Sequence, residues 1–239
     1  MNTNHTLQES DSPTDDTPPI NHTSVNAGFL LLALGVISGF SYLFAVKGLV
    51  TPGNAVKTAR DISAHEGLFR FGCLGLFFAA VLDVIVAWVL FRFFAPVNRA
   101  LSLAAAWSRT AYAAIFAVAI KQLTSVPDLL SAHGRGAVTN QIRNEAMNRI
   151  HAFNDIWSVG LIVFGLYLIV LARLAHRSGF VPKFVSVLLG IAGFGYLFDS
   201  FTALVVRVSD TPLSSVSALG EVVFALWLVI RGRRIARHS

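Results

Sequence analysis

The stretch LFRFGCLGLFFAAVLDVIVAWVLFRFF, residues 68–94, decides the fold class of this chain. Its apolar run is interrupted by only three charged side chains, Arg70, Asp83 and Arg92. A transmembrane helix needs about 20 mainly apolar residues, so the stretch is long enough to cross a bilayer. It lacks the alternation of a barrel strand, and backbone groups in hydrocarbon must be paired within their own segment. We therefore predict a membrane-spanning α-helix here.

Further apolar runs of similar length flank this one along the chain. Hydrophobic residues make up 54% of the 239 residues and charged residues 13%, an apolar excess that one aqueous core cannot bury. The sequence therefore predicts an all-α, polytopic membrane bundle of about six transmembrane helices. The other five predicted spans are residues 27–46, 101–120, 156–172, 184–206 and 216–230.

The two ends of the chain differ from the apolar middle. Residues 1–25 are polar, with Glu9, Asp11, Asp15 and Asp16 and three prolines, which predicts a disordered acidic tail. No basic segment precedes an apolar one there, so we interpret the first span as an uncleaved signal anchor. Residues 26–231 form the predicted six-helix domain, and residues 232–239 form a basic C-terminal tail.

Glycines and the longest connection suggest how the spans pack. Gly35 and Gly39 have the spacing that lets two helices approach closely in lipid, and the glycine-rich fifth span, with Gly193 among its glycines, indicates close packing. Residues 122–150 form the longest connection. It contains Pro127, and its polar part, 139–149, is predicted to form an interfacial helix.

The orientation of the bundle depends on the basic residues of alternate loops. With the N-terminus inside, nine Arg and Lys fall in short inner segments and nine in much longer outer connections. The density of positive charge therefore favours cytoplasmic N- and C-termini in a multi-pass protein of the cell membrane.

Charge and cysteine content narrow the partners. The formal charge of +6 is scattered over the inter-helix segments, which argues against nucleic acid and favours membrane lipids, including anionic headgroups. The single cysteine, Cys73, cannot form an intrachain disulfide. We expect no cofactor, and homo-oligomerisation stays open.

Two charges lie deep within predicted spans. Asp83 is near the middle of the second span and Arg109 is well inside the third. A charge at this depth is costly unless it faces the bundle interior and finds a partner. We therefore predict an Asp83–Arg109 ion pair, whose simplest role is structural.

Histidine and acid pairs at helical spacing occur at the starts of two spans. Asp61 with His65, and Glu66 with Arg70, are four residues apart in RDISAHEGLFRFG, and His151 with Asp155 repeats the His/Asp spacing in HAFND. Such a pair can bind a metal, with His65, His151 and Asp155 as candidate ligands, or fix a histidine tautomer. A hydrogen-bonded helix end is the more economical interpretation.

The predicted orientation gathers most of these residues in the outer half of the bundle, where they would form one polar vestibule. Asp199, near the end of the fifth span, and Glu221, in the sixth, join them. The members of this predicted vestibule are Asp61, His65, Glu66, Arg70, His151, Asp155, Asp199 and Glu221.

Three stretches, RDISAHEGLFRFG, APVNRALSL and HRSGFVPKFVSVLLGIAGFGYLFDSF, resemble the bacterial membrane-protein family known as domain of unknown function 4386. The resemblance covers about residues 27–230 and implies a multi-helical protein of the cytoplasmic membrane, without implying a reaction. The resemblance supports seven positions as candidates, of which the two prolines are new: His65, Arg70, Asp83, Pro96, Arg109, Pro182 and Asp199. Lys183 stands where the family more often has Arg.

Two functional hypotheses are open. In the first, which we favour, a non-enzymatic membrane protein binds, senses or transports a small solute, lipid or proton through the polar cluster. In the second, an intramembrane metal-dependent hydrolase or lipid-modifying enzyme uses His65, His151, Asp155 and Asp199, with Ser200 as nucleophile. A third option is that the charges only hold the bundle together.

Overall fold

The computed structural model describes residues 20–131, 139–205 and 213–235, and side chains within 25–131, 139–203 and 219–230 and at Val205. These residues form seven α-helices and no strand, so the predicted all-α bundle is confirmed. The helices are α1 (Ile20–Phe40), α2 (Ala55–Ala64), α3 (Glu66–Phe94), α4 (Arg99–Ser131), α5 (Asn140–Arg177), α6 (Lys183–Val205) and α7 (Leu213–Ile235).

Five helical segments are long and apolar enough to cross a membrane. They are Val25–Leu49, Glu66–Phe94, Arg99–Ser131, Asn140–Arg177 and Lys183–Ala203. The sixth predicted span corresponds to α7, whose apolar stretch within the described side chains is Leu219–Ile230. Helix α1 continues through a π-helical turn, Ser41–Val46, and a 3-10 turn, Lys47–Leu49.

Most of the predicted tails lies outside the described residues. Helix α1 begins at Ile20, inside the stretch assigned to the disordered tail, and α7 continues to Ile235, past the predicted boundary of the basic tail. The rest of both tails, residues 1–19 and 236–239, is not described.

The six long helices form a closed ring. Helix α3 packs against α1 and α4, α5 packs against α4 and α6, and α7 packs against α6 and α1. Ring closure leaves one interior, which side chains from all the long helices share. We call the end of the ring where α3 ends and α4 begins the Pro96 end, and the opposite end the α2 end.

Helices α4 and α5 are longer than a bilayer requires. At 1.5 Å per residue their 33 and 38 residues measure about 50 and 57 Å, against a hydrocarbon core of about 30 Å. Their surplus is polar and lies at the α2 end, where α2 packs against both helices. We call α2 with residues 121–131 and 140–149 the cap.

The cap differs from the predicted loop. Most of the connection over residues 122–150 is helical, and Pro127 lies buried inside α4. The segment 139–149 is helical as predicted, but it is the first part of α5 and not a separate interfacial helix.

Glycines set the closest contacts of the ring, although not the pair that the sequence suggested. A Cβ on Gly193 would lie 2.8 Å from the carbonyl oxygen of Gly165, so α6 and α5 touch backbone to backbone. Gly35 and Gly39 make no such contact within the chain, because nothing lies within 4 Å of a Cβ built on either. Helix α1 instead uses Gly28, which fits against Ala225 and Val229 of α7.

Candidate functional site

The predicted pair of buried charges lies in the interior of the ring. The Nε atom of Arg109 donates a hydrogen bond of 2.8 Å to Oδ1 of Asp83, and its Nη2 atom lies 2.6 Å from the same oxygen. The exposed fraction of the side chain is 0% for Arg109 and 5% for Asp83. The prediction of an Asp83–Arg109 ion pair is confirmed.

Two further residues complete this group. The Nη1 atom of Arg109 donates a hydrogen bond of 2.7 Å to the hydroxyl of Tyr167 on α5. The same nitrogen lies 3.9 Å from Oε2 of Glu221 on α7, a helix that is not a neighbour of α4 in the ring. We call Asp83, Arg109, Tyr167 and Glu221 the central cluster. It joins four helices across the ring interior.

The central cluster lies well inside the bundle, nearer the Pro96 end than the α2 end. Asp83 is eleven residues before the end of α3, Arg109 ten residues after the start of α4, and Tyr167 ten residues before the end of α5. Each is therefore about 15–17 Å from the Pro96 end of its helix. All three lie within helical segments that are long and apolar enough to cross a membrane.

Aromatic rings stabilise the guanidinium of Arg109 in addition to its ion pair. Its Cζ atom lies 4.9 Å from the centre of the Tyr167 ring and 5.5 Å from that of the Phe164 ring. A cation over an aromatic face is attracted by the ring quadrupole, by about 2 kcal/mol or more where water is excluded. Tyr167 therefore contacts Arg109 through both its hydroxyl and its ring.

A layer of aromatic residues separates the central cluster from the α2 end. The Nε1 atom of Trp157 donates a hydrogen bond of 3.2 Å to the hydroxyl of Tyr112. The ring of Trp157 lies 4.8 Å from Tyr42, 5.5 Å from Phe116 and 5.4 Å from Phe153. These rings pack α1, α4 and α5 together above the cluster.

A second aromatic layer lies between the cluster and the Pro96 end. Phe180, in the connection between α5 and α6, lies 5.3 Å from Phe93 and 6.2 Å from Phe94, measured between ring centres. Phe94 in turn stacks on Phe224 of α7 at 6.4 Å. The two layers enclose the polar groups from both ends.

The charges of the central cluster do not balance. It contains one guanidinium and two carboxylates, and Asp83 holds the closer position on Arg109. The exposed fraction of the Glu221 side chain is 18%, the largest of the three charged side chains. Glu221 is therefore the carboxylate with the weaker ionic partner and the better access.

Asp61 and His65 do not form the predicted side-chain pair. The carboxylate of Asp61 lies 3.0 Å from Nζ of Lys57 and 3.5 Å from Nε of Arg60, and the hydrogen bond from Lys57 lowers the pKa of Asp61 below its usual value. His65 Nδ1 lies 3.1 Å from the backbone carbonyl of Asp61. The reason is local: α2 ends at Ala64, and His65, at φ −125° and ψ 38°, interrupts the helix.

The Glu66–Arg70 pair forms and gains a third member that sequence reasoning missed. Arg70 Nε donates to Glu66 at 2.8 Å, and Arg70 Nη2 donates to Asp128 of α4, also at 2.8 Å. This ion triad lies at the α2 end and joins α3 to the end of α4. Asp128 lies 58 residues away in the sequence, so its spacing gives no signal.

The remaining predicted residues lie elsewhere. His151 and Asp155 are exposed on α5, and Asp199 is half-buried on α6 beside the buried Ser200. Within the described side chains, no group of three or more His, Cys, Asp or Glu could hold a metal, so His65, His151 and Asp155 do not form the predicted ligand set. Glu221 belongs to the central cluster, whereas the carboxylates and the guanidinium of Asp61, Glu66 and Arg70 form ion pairs at the α2 end.

Tyr167 is the other residue that sequence reasoning missed. It and Ser158 are the only hydroxyl side chains in the predicted fourth span. A buried tyrosine hydroxyl usually needs a hydrogen-bond partner, which is the signal that could have identified it.

Comparisons with known proteins identify the family and leave the activity open. Residues 26–232 match the family described as domain of unknown function (DUF4386). A protein of Archaeoglobus fulgidus, described as uncharacterized, is 30% identical over 169 residues, which cover 70% of this chain and 86% of that protein. No solved structure matches the chain. With nearly all of its helical ring matched, the chain belongs to the DUF4386 family of proteins of unknown function.

Proposed function

We propose that this multi-spanning membrane protein binds and releases a proton at Glu221, and that the central cluster links this event to the binding or movement of a small solute. The observation that carries the proposal is the unequal charge of the cluster, two carboxylates around one guanidinium. The proposal keeps the non-enzymatic hypothesis but assigns it to the central cluster and not to the predicted outer vestibule.

Because an uncompensated charge is costly inside the bundle, the cluster has two distinct states, one with and one without a proton on Glu221. With a proton on Glu221, the ion pair of Asp83 and Arg109 leaves the cluster neutral. Without it, the cluster carries one net negative charge in the interior of the bundle, where uncompensated charge costs several kcal/mol. The protonated cluster is therefore the resting state, and a monovalent cation near Glu221 is the alternative way to restore neutrality.

Protonation can affect helix packing because each member of the cluster belongs to a different helix. Arg109 divides its donors between Asp83 on α3 and Tyr167 on α5, while Glu221 on α7 lies at 3.9 Å. An ionised Glu221 attracts Arg109 more strongly than a protonated one and competes with Tyr167 for the Nη1 atom. Loss of the proton is expected to draw α4 and α7 together across the ring.

The test is infrared difference spectroscopy of the full chain in lipid vesicles during a pH titration. We expect a carbonyl band of a protonated carboxyl in apolar surroundings, which the Glu221→Gln variant loses. Glu145→Gln is the matched control, because Glu145 is a half-exposed carboxylate of the cap paired with Arg149. A band that survives Glu221→Gln, or no such band at any pH where the protein is folded, would refute the proposal.

A flux measurement then separates binding from transport. Vesicles with an internal pH indicator are exposed to a pH step with and without the protein. Protein-dependent proton flux that Glu221→Gln removes and Glu145→Gln keeps indicates transport. A titrating band without flux indicates a protein that binds or senses.

We also propose that the Pro96 end faces the cytoplasm in the cell membrane. The support is the density of positive charge in the short segments at that end, which is typical of cytoplasmic loops. Both α1 and α7 have their outer termini at this end, so the proposal includes a cytoplasmic N- and C-terminus.

A further inference from the structure

Five exposed cationic side chains lie at one level around the Pro96 end. Each is within four residues of a helix terminus, so all lie within about 6 Å of the helix ends along the bundle axis. They come from α3, α4, α5 and α6. They are Arg92, Arg99, Arg173, Arg177 and Lys183.

This end has no acidic residue in the segments that turn there. The sequence has no Asp or Glu between Asp83 and Asp128, between Asp155 and Asp199, or after Glu221. Correspondingly, none of the five cations forms an ion pair with a described side chain. Among the described side chains, the five cations of the Pro96 end therefore have no carboxylate partner, although the acidic sequence of residues 9–16 precedes α1, which begins at this end.

The α2 end provides the contrast within the same molecule. There Lys57 and Arg60 contact Asp61, Arg70 contacts Glu66 and Asp128, and Arg149 contacts Glu145. Four of the seven described cations at that end thus contact a carboxylate, against none of the five at the Pro96 end. The absence of partners at the Pro96 end is thus a property of that end and not of the whole surface.

The second aromatic layer, which includes Phe180, lies next to these five cations. Phe180 packs against Phe93 and so fixes the connection between α5 and α6 over the end of α3. The five cations therefore lie on four of the six helices, outside the apolar packing of Phe180 and Phe93. Trp88, exposed and one turn from Arg92 towards the bilayer, is at the depth where tryptophan favours the interface of headgroups and acyl chains.

We propose that this ring of cations binds the phosphate groups of anionic phospholipids in the leaflet that surrounds the Pro96 end. Four of the five are arginines, whose planar guanidinium matches phosphate oxygens with two hydrogen bonds. A lipid surface suits a ring that follows the bundle perimeter at headgroup depth better than a compact soluble partner does.

The test measures how tightly single phospholipids bind to the purified full chain by native mass spectrometry from detergent. We expect tighter binding of phosphatidylglycerol than of phosphatidylcholine. Replacing Arg173 and Arg177 together by Gln is expected to weaken phosphatidylglycerol binding by about fivefold for each arginine removed. The matched control replaces Arg60 and Arg143, two cations at the surface of the cap, and should leave the preference intact.

Competition experiments distinguish binding of the phospholipid from binding of other anions. Inorganic phosphate should compete no better than chloride at equal ionic strength if the lipid is the ligand. Competition by phosphate alone, an equal affinity for the two lipids, or the same loss in the cap variant would overturn the proposal. Tight binding of an oligonucleotide in preference to phosphatidylglycerol would overturn it in favour of a nucleic-acid partner. Thermal unfolding of each variant confirms that the ring of helices is folded.

Discussion

The hydroxyl of Tyr167 accepts a hydrogen bond of 2.7 Å from Nη1 of Arg109, while the Tyr167 ring lies under the same guanidinium at 4.9 Å. One tyrosine thus provides both a hydroxyl acceptor and an aromatic face to a cation with no exposed surface. Two substitutions can separate these contributions.

Tyr167→Phe removes the hydroxyl and keeps the ring. We expect a loss of unfolding free energy of about 1.5–3 kcal/mol, the range for a hydrogen bond to a charged group. Tyr167→Leu also removes the aromatic face and should cost more. The measurement is unfolding in mixed micelles of increasing denaturing detergent. Equal stability of the two variants would show that the ring contributes nothing beyond its volume.

Arg109→Gln is expected to be the most destabilising substitution in the central cluster. It leaves Asp83 buried without a cation, and breaking a buried pair from one side costs about 3–5 kcal/mol. The double variant Asp83→Asn with Arg109→Gln removes both charges and should recover part of that loss in the same unfolding assay. If the double variant is less stable than Arg109→Gln alone, the unpaired charge of Asp83 is not the cause of the loss. Coupling of both residues to the rest of the cluster would then be favoured.

The glycine contacts predict that replacement by alanine destabilises the protein at Gly193 but not at Gly39, although the two glycines stand in similar sequences. Gly193→Ala places a Cβ 2.8 Å from the backbone oxygen of Gly165 and should cost about 1–3 kcal/mol through overpacking. Gly39→Ala is the matched control, because its Cβ meets nothing within 4 Å. Thermal unfolding of the two variants checks this difference. A stable Gly193→Ala variant would mean that α5 and α6 can separate at no cost.

The cap predicts a local pH effect at Asp61. The hydrogen bond from Lys57 lowers the pKa of this carboxyl, so the folded protein favours its charged form. The contribution of this contact is present above the pKa of the unfolded chain and is lost as the pH falls through the lowered folded value. Carboxyl-carbon NMR of Asp61 should show a pKa below 3.8, the ordinary value, and Lys57→Gln should raise it. An unchanged titration in Lys57→Gln would exclude this hydrogen bond in solution.

Orientation can be measured with single cysteines in a Cys73→Ala background. A cysteine at Arg143, in the cap, should react with a membrane-impermeant thiol reagent on intact cells. A cysteine at Arg177, at the Pro96 end, should react only after permeabilisation. The reversed pattern would place the cationic ring on the outer side and contradict the proposed topology.

The sequence is sufficient to predict features that depend on the cost of burying charge in lipid. Asp83 and Arg109 interrupt apolar runs, and each could be assigned a partner because an unpaired ion at that depth is too costly. Glu221 was recognised as an intramembrane acid for the same reason, but it was grouped with the vestibule residues and not with Arg109. Its position depends on how α7 packs across from α4, which no local spacing records.

Other features were missed because one pattern fits two structures. The spacing of Gly35 and Gly39 is common to contacting and open helix faces, and only the rotation of α1 decides between them. Asp61 and His65 share a helix face only if the helix continues, and it ends between them. Tyr167 and Asp128 are single residues in ordinary surroundings, and they become part of a cluster only when distant helices meet.

Helix α5 passes without interruption from Glu145 in the cap to Tyr167 in the central cluster, a distance of about 33 Å along its axis. A movement of the cap end of α5 is therefore expected to move its other end as part of one rigid helix. If it pivots at the cap, a tilt of about 5° moves Tyr167 sideways by about 3 Å, as far as the length of its hydrogen bond to Arg109. A contact made on the surface of the cap therefore has a mechanical route to the central cluster inside the ring.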